Sequence, residues 1–211
     1  TASLDIVADD LGLASNMIWD AELDDSQSTT ALGSETTMTA GTDTGPDQES
    51  KILVRLNLHQ LGLPVNATIL SSEVVFTRST YNGAEPVALH LVTNYVDWDE
   101  ETATWDSPLG NNTDWDLELE SVMDSIVMDN SSSKFRFKTG IDFQSQISTG
   151  FSKPIDMLLN GRAADGTYAS SNDITFYSTE DSTTSNQPHF ALTYEWGASA
   201  ASSEVEMLAP L

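Results

Sequence analysis

The 211-residue sequence contains no cysteine, which excludes disulfide bonds, thiol chemistry and cysteine-ligated metal sites. Basic residues are scarce, because 8 Lys and Arg stand against 33 Asp and Glu, for a formal net charge of −25. Nucleic acids and anionic membrane surfaces are bound through Lys and Arg, so neither is a predicted partner. An acidic surface of this kind favours divalent cations or a saline medium that screens self-repulsion.

Long apolar runs are also missing, so no membrane insertion is predicted. Apolar residues recur instead in short alternating stretches separated by polar turns, and no long segment has a helical period. Hydrophobic residues make up 39% of the chain, which is enough for a core. The pattern predicts an all-β protein, an antiparallel β-sandwich of the jelly-roll type with extra terminal strands.

Two predicted strands show how apolar and polar residues are distributed. In the strand expected over Met17–Leu23, Ile18 points inward, and a slip in the alternation is needed to turn Ala21 and Leu23 inward as well. In Lys51–Leu58, four apolar residues share one face. The opposite face of that strand carries Lys51, Arg55 and Asn57.

The segment Trp98–Pro108 holds two tryptophans seven positions apart, with carboxylates and threonines between them. It predicts a loop that enters a short edge strand, Thr102–Trp105, which ends before the proline. Two interpretations of the tryptophans stay open: both fill the core, or one faces outward as a platform for a sugar or a partner. The aromatic candidates for stacking on a glycan are Trp98, Trp105, Trp115, Tyr81 and Tyr168.

Five motifs follow one another in a specific order. They are Leu53–Leu58, Leu63–Ile69, Trp98–Trp105 with Pro108, Phe176–Glu180 and Pro188–Tyr194. Over roughly residues 19–196 this series resembles the disaggregatase-related (DNRLRE-type) domain, although Leu56 and Asn57 stand where that family has a phenylalanine motif. The resemblance implies a secreted, non-catalytic jelly roll on polysaccharide-active or cell-surface proteins, some of them carbohydrate-binding. The chain is accordingly not expected to be an enzyme.

The chain is predicted to have three parts: an N-terminal extension (1–16), the β-sandwich (17–196), and a linker with a C-terminal strand (197–211). The start at Thr1 suits a removed signal peptide, so an extracellular or cell-surface location is expected. Each terminal segment is able to add a strand to a neighbouring copy or to fold back on its own sheet. The residues expected to carry strand exchange are Leu4, Ile6, Val205, Met207, Ala209 and Leu211.

No catalytic residues are predicted, because the three histidines are isolated and neither a zinc-type spacing nor a Gly-x-Ser-x-Gly motif occurs. Ca²⁺ is the expected ligand, since it takes several oxygens from carboxylates and carbonyls that meet in loops. The candidate ligands are Asp24, Asp25, Asp43, Asp47, Asp97, Asp99, Asp114 and Asp116, and a solvated acidic surface is the alternative. Glycosylation sequons occur at Asn66, Asn111 and Asn130.

These observations predict a secreted structural subunit that assembles with copies of itself into a filament, tube or surface layer. Strand exchange between β-sandwich domains would join the subunits, with calcium supporting contacts between acidic faces. The alternative is a non-catalytic carbohydrate-binding module that recognises an extracellular polysaccharide.

Overall fold

A computed structural model describes residues 2–7, 18–42, 49–57, 67–82, 87–93, 98–106, 122–128, 130–139, 154–162 and 172–196. The strands in these residues are β1 (Ala2–Val7), β2 (Ile18–Asp24), β3 (Thr37–Thr42), β4 (Glu49–Leu56), β5 (Ala67–Asn82), β6 (Val87–Thr93), β7 (Val122–Met128), β8 (Lys134–Lys138), β9 (Ile155–Arg162), β10 (Asn172–Tyr177) and β11 (His189–Trp196). A 3-10 helix, Asp25–Gln27, follows β2. None of the described segments forms a helix of the length and apolarity needed to cross a membrane.

Every pairing between described strands is antiparallel, so the predicted all-β antiparallel class is confirmed. The hydrogen-bonded order is β1-β11-β5-β10-β3-β4-β9-β6-β7, with β2 on β4 and β8 on β5. The long strand β5 links two groups of strands. Residues 67–75 of β5 pair with β11 and residues 73–77 with β8, whereas residues 78–82 pair with β10.

The main core gathers apolar side chains from β2, β3, β4, β5, β8, β9, β10 and β11. Phenylalanines lie at its centre: the rings of Phe76 and Phe176 have centroids 5.3 Å apart, and those of Phe135 and Phe176 are 6.1 Å apart in an edge-to-face contact. These contacts bring β5 and β8 against β10 and are consistent with a β-sandwich. The jelly-roll strand order stays a prediction.

A second core covers the other face of β2, β4 and β9. The register of β2 with β4 runs without interruption from Ile18 opposite Leu56 to Asp24 opposite Ser50. The predicted slip in β2 is therefore wrong: Ile18 belongs to the main core, whereas Ala21 and Leu23 are buried on the opposite face. Both faces are buried because Trp98 and Ala103 pack over the outer one.

Residues 98–106, called the tryptophan segment below, form a turn and not the predicted edge strand. The carbonyl of Asp99 accepts from the backbone N–H groups of Thr102 (3.2 Å) and Ala103 (2.9 Å). The Asp99 carboxylate accepts from the N–H of Glu101 and the hydroxyl of Thr102, a local pattern that favours a turn over a strand ladder. The prediction of a strand over Thr102–Trp105 is wrong for this reason.

Candidate metal centre

A buried ion pair holds the tryptophan segment on the sheet. The Nε of Arg55 on β4 lies 2.7 Å from Oδ1 of Asp156 on β9, and its Nη2 lies 3.2 Å from Oδ2. The Arg55 Nη1 donates to the carbonyl of Trp98 (2.8 Å), and the Trp98 indole N–H donates to Asp156 (3.1 Å). The guanidinium also lies near both the Trp19 and Trp98 rings, 5.3 and 5.2 Å from their centroids. The position of the segment next to β2 is thereby fixed.

Three carboxylates, called the acidic triad below, meet where the tryptophan segment reaches strand β2. Asp20 lies on β2, Glu100 in the tryptophan segment and Glu180 in the turn that follows β10. One carboxylate oxygen of each residue lies within 4.8 Å of those of the other two. Asp20 is only 1% exposed and Glu100 is partly buried, whereas Glu180 lies at the rim.

Hydrogen bonds tie the three parts of the triad together. The backbone N–H of Asp20 donates to Glu100 Oε1 (2.9 Å), and the N–H of Thr179 donates to Asp20 Oδ2 (2.9 Å). The Thr179 hydroxyl donates to Glu180 Oε1 (3.0 Å). The second carboxylate oxygen of Asp20, Oδ1, is buried and has no hydrogen-bond partner. An ionised oxygen in that environment has lost its water without a replacement.

The electrostatics of the triad disfavour three negative charges. Burial raises the pKa of Asp20 well above its usual value, and the charges of Glu180 and Glu100 raise it further, against the opposing hydrogen bonds from Thr179. Burial likewise raises the pKa of Glu100 to about 7. Within the described ranges, no Lys, Arg or His forms an ion pair with any of the three. The triad therefore favours the uptake of a proton or a cation.

A polar cavity of about 180 Å³ opens further along β2. Its lining residues are Glu22, Asp24, Ser26, Thr39, Ser50, Asp173 and Thr175. Glu22 accepts from the N–H of Thr39 (2.9 Å), and burial raises its pKa to about 7. Together with Asp20 of the triad, the cavity residues Glu22 and Asp24 make every second residue of this part of β2 acidic.

Three of the predicted calcium ligands, Asp24, Asp25 and Asp99, are described, and calcium binding by them stays a prediction. Asp24 caps the 3-10 helix, accepting from the backbone N–H and hydroxyl of Ser26 and from the side chain of Gln27. Asp25 opens that helix, and Asp99 caps the turn of the tryptophan segment. None of these three belongs to the triad. The predicted ligands outside the described residues are Asp43, Asp47, Asp97, Asp114 and Asp116.

The sequence pattern did not single out Asp20, Glu100 and Glu180 as candidate ligands. Glu100 lies in the acidic stretch 97–101 where calcium was expected, but the aspartates were favoured there. The signal for Asp20 in the sequence was an acidic residue between Ile18 and Leu23, two apolar residues of a predicted strand.

One candidate for glycan stacking is corrected by the structure. Trp98 is 3% exposed and packs in the second core, so its ring cannot stack on a sugar. Trp105 is partly buried with the Lys51 ammonium 5.0 Å above its ring, and Tyr81 is partly buried against the main core. Trp115 and Tyr168 lie outside the described residues.

The remaining predicted positions are partly described. Leu4 and Ile6 on β1 lie opposite Leu192 and Phe190 of β11, and Asn130 is exposed in a turn. The other sequons and exchange positions, Asn66, Asn111, Val205, Met207, Ala209 and Leu211, lie outside the described residues.

No protein-family profile matches the chain, and no curated protein matches it significantly. The resemblance to the disaggregatase-related domain stays a prediction based on the motifs quoted above.

Proposed function

We propose that the protein is a non-catalytic, extracellular structural subunit that assembles with copies of itself by exchange of strand β1. The observation that supports this proposal is the position of β1 at the end of the sheet order, where it pairs with β11 and with no other described strand. A strand held along one edge detaches without breaking other pairings.

In the single chain β1 folds back on β11 of its own sheet, and the same register is open to β1 of a second copy. Six residue pairs join β1 to β11, from Ala2 opposite Tyr194 to Val7 opposite His189. The β11 residues in this stretch include Phe190 and Leu192, which belong to the main core. Strand β1 of a neighbouring copy would complete the same edge with the same backbone hydrogen bonds, as in other domain-swapped and strand-donor assemblies.

The surface charge supports an assembly that depends on cations. A net charge of −25 makes adjacent copies repel each other in a medium of low ionic strength. Salt or calcium between acidic faces would lower that repulsion. The assembly we propose is a filament, tube or surface layer.

The absence of cysteine makes a direct test possible. Two variants, Ser3→Cys and Thr193→Cys, place single thiols on opposed residues of β1 and β11. Each variant is purified alone, and the two are mixed under assembly conditions with calcium and then oxidised. A disulfide between the two variants, in excess of the dimers that each variant forms when oxidised alone, indicates that β1 of one copy lies on β11 of another.

We expect a cross-linked dimer in the mixture on a non-reducing gel, and filaments by electron microscopy. As a control, the double variant Glu73→Cys/Lys138→Cys joins opposed residues of β5 and β8 and should stay within one chain. Exchange is refuted if the mixture gives no dimer while a Ser3→Cys/Thr193→Cys double variant closes a disulfide within single chains.

The alternative function is the binding of an extracellular polysaccharide. It is supported by the partial exposure of Trp105 in the tryptophan segment and of Tyr81 at the end of β5. Retardation in gels that contain polysaccharide tests it, and Trp105→Ala should abolish the retardation. Migration that no polysaccharide alters would leave this alternative without support.

A further inference from the structure

We propose that Asp20, Glu100 and Glu180 form a calcium site that fastens the tryptophan segment and the turn after β10 to strand β2. None of the three residues belongs to β1 or β11, so the site does not depend on the proposed assembly. Two observations support it: the convergence of the three carboxylates, and the buried oxygen of Asp20 that has no partner.

The ligand atoms of the triad indicate which class of ion would bind. All three side chains offer carboxylate oxygens, which hard cations prefer. Ca²⁺ binds oxygen at about 2.4 Å, so two ligands on opposite sides of the ion lie up to about 4.8 Å apart. The triad oxygens all lie within this distance of one another. Mg²⁺ keeps several of its waters and is usually held by one or two carboxylates, so a set of three carboxylates favours Ca²⁺.

One oxygen of the Asp20 carboxyl group is buried without a hydrogen bond. The Oδ2 atom accepts from Thr179, whereas Oδ1 is buried without a partner. Buried oxygens that carry charge are rarely left in this state, because desolvation without a replacement contact is costly. A cation in the triad would supply that contact and balance the charges of Glu100 and Glu180. Glu180 lies at the rim, so water is able to complete the coordination there.

The separation of the three residues along the chain indicates how a bound ion would stabilise the fold. Asp20 is separated from Glu100 by 80 positions and from Thr179, the residue before Glu180, by 159 positions. An ion that contacts all three would close two long loops at once. Because the triad does not exist in the unfolded chain, calcium would bind the folded state and stabilise it by mass action.

The test uses the full chain after dialysis against EDTA, with CaCl2 as the titrant at constant ionic strength. We expect one bound ion per chain by calorimetry and a Tm that rises steadily with calcium concentration. Tb³⁺ serves as a second probe, because Trp19 and Trp98 lie one and two positions from triad residues in sequence and would sensitise its emission. Calcium should displace that emission.

Three variants distinguish a specific calcium site from diffuse attraction of calcium to the acidic surface. Asp20→Asn keeps the shape of the side chain and should lower calcium affinity at least tenfold, with loss of the Tb³⁺ signal. Glu180→Gln, at the rim, provides the same test if Asp20→Asn does not fold. Glu101→Gln removes an exposed charge from the same turn and should leave calcium affinity unchanged within twofold.

Three results would overturn the proposal. The first is a Tm and a calorimetric trace that calcium does not change in the unaltered protein. The second is equal loss of affinity in Asp20→Asn and Glu101→Gln, which would indicate diffuse attraction to an acidic surface. The third is an affinity for Mg²⁺ equal to that for Ca²⁺, which would contradict the assignment to calcium.

Discussion

Arg55 and Asp156 form a bidentate ion pair across β4 and β9, with both side chains almost fully buried. The pair is accompanied by Trp98, which accepts from the arginine through its carbonyl and donates to the aspartate through its indole. Three groups thus satisfy one another's hydrogen-bonding capacity on the outer face of the sheet. The pair explains why a loop rich in carboxylates packs tightly on the sheet.

Removal of the arginine should be strongly destabilising. In Arg55→Met, Asp156 stays buried and loses its cationic partner, although the indole N–H of Trp98 still donates to it. We expect the free energy of unfolding to fall by about 3–5 kcal/mol, as is typical when one partner of a buried pair is lost. Guanidinium denaturation measures this change, and the fluorescence of Trp98 should shift to the red if the segment detaches.

Arg136→Met is the matched control for this prediction. Arg136 pairs with Glu73 at 3.1 Å, but its side chain is 53% exposed, so its loss should cost less than about 1 kcal/mol. Similar losses for the two arginine variants would contradict the importance assigned to burial.

The strands could be predicted because their alternation is simple. In β8, Phe135 and Phe137 are buried and three basic residues are exposed, as a period of two requires for a half-buried strand. Strand β1 was likewise expected from the alternation around Leu4 and Ile6. In such strands the local pattern alone separates one face from the other.

The buried ion pair and the acidic triad could not be predicted from the local sequence pattern. Alternation puts Arg55 on the face of β4 away from the main core, but it does not reveal that the tryptophan segment covers that face. Its partner Asp156 lies 101 positions away along the chain. The triad has the same property, because a single sequence does not state which turns approach β2. Long-range contacts between polar residues leave no periodic signal.

The free energy of unfolding should depend on pH because Glu22 titrates differently in the folded and unfolded chain. Burial raises the pKa of Glu22 to about 7, above its usual 4.5, so between these values the folded protein holds a proton that the unfolded chain releases. The free energy of unfolding therefore falls as pH rises through this window. Glu22→Gln keeps an acceptor for Thr39 and removes the charge. In EDTA, it should stabilise the protein on the order of 1–3 kcal/mol at pH 8 and much less at pH 5.

Urea denaturation of the Glu22→Gln variant and the unaltered protein at both pH values checks this prediction. Glu101→Gln removes an exposed carboxylate and should show no such difference between pH 5 and pH 8. If Glu22→Gln has the same effect at both pH values, the titration of Glu22 is not coupled to folding.

Monovalent salt should stabilise the protein independently of any calcium site. The net charge of −25 is spread over a small domain, and the screening length falls from about 10 Å at 0.1 M salt to about 3 Å at 1 M. We expect Tm in EDTA to rise between these NaCl concentrations for both the unaltered protein and Asp20→Asn. A rise that disappears in Asp20→Asn would mean that the triad, and not the whole surface, responds to sodium.

Gly33 determines how closely the tryptophan segment approaches the loop between β2 and β3. A Cβ at Gly33 would overlap the backbone carbonyl of Glu100, so Gly33→Ala requires the segment to move. We expect this variant to lose stability and to lose most of the rise in Tm that calcium produces, because Glu100 would leave the triad. Thermal melts with EDTA and with CaCl2 measure both effects.

Gly41→Ala is the control for Gly33→Ala, because it should lower stability without lowering the response to calcium. Gly41 has a φ of +130°, and a Cβ there would overlap the carbonyl of Asn172, at the pairing of β3 with β10 and away from the tryptophan segment. Both alanine variants should melt at a lower temperature in EDTA, because each displaces packed backbone. Only Gly33→Ala should respond weakly to calcium. A full calcium response in Gly33→Ala would show that Glu100 does not need its present position to bind the ion.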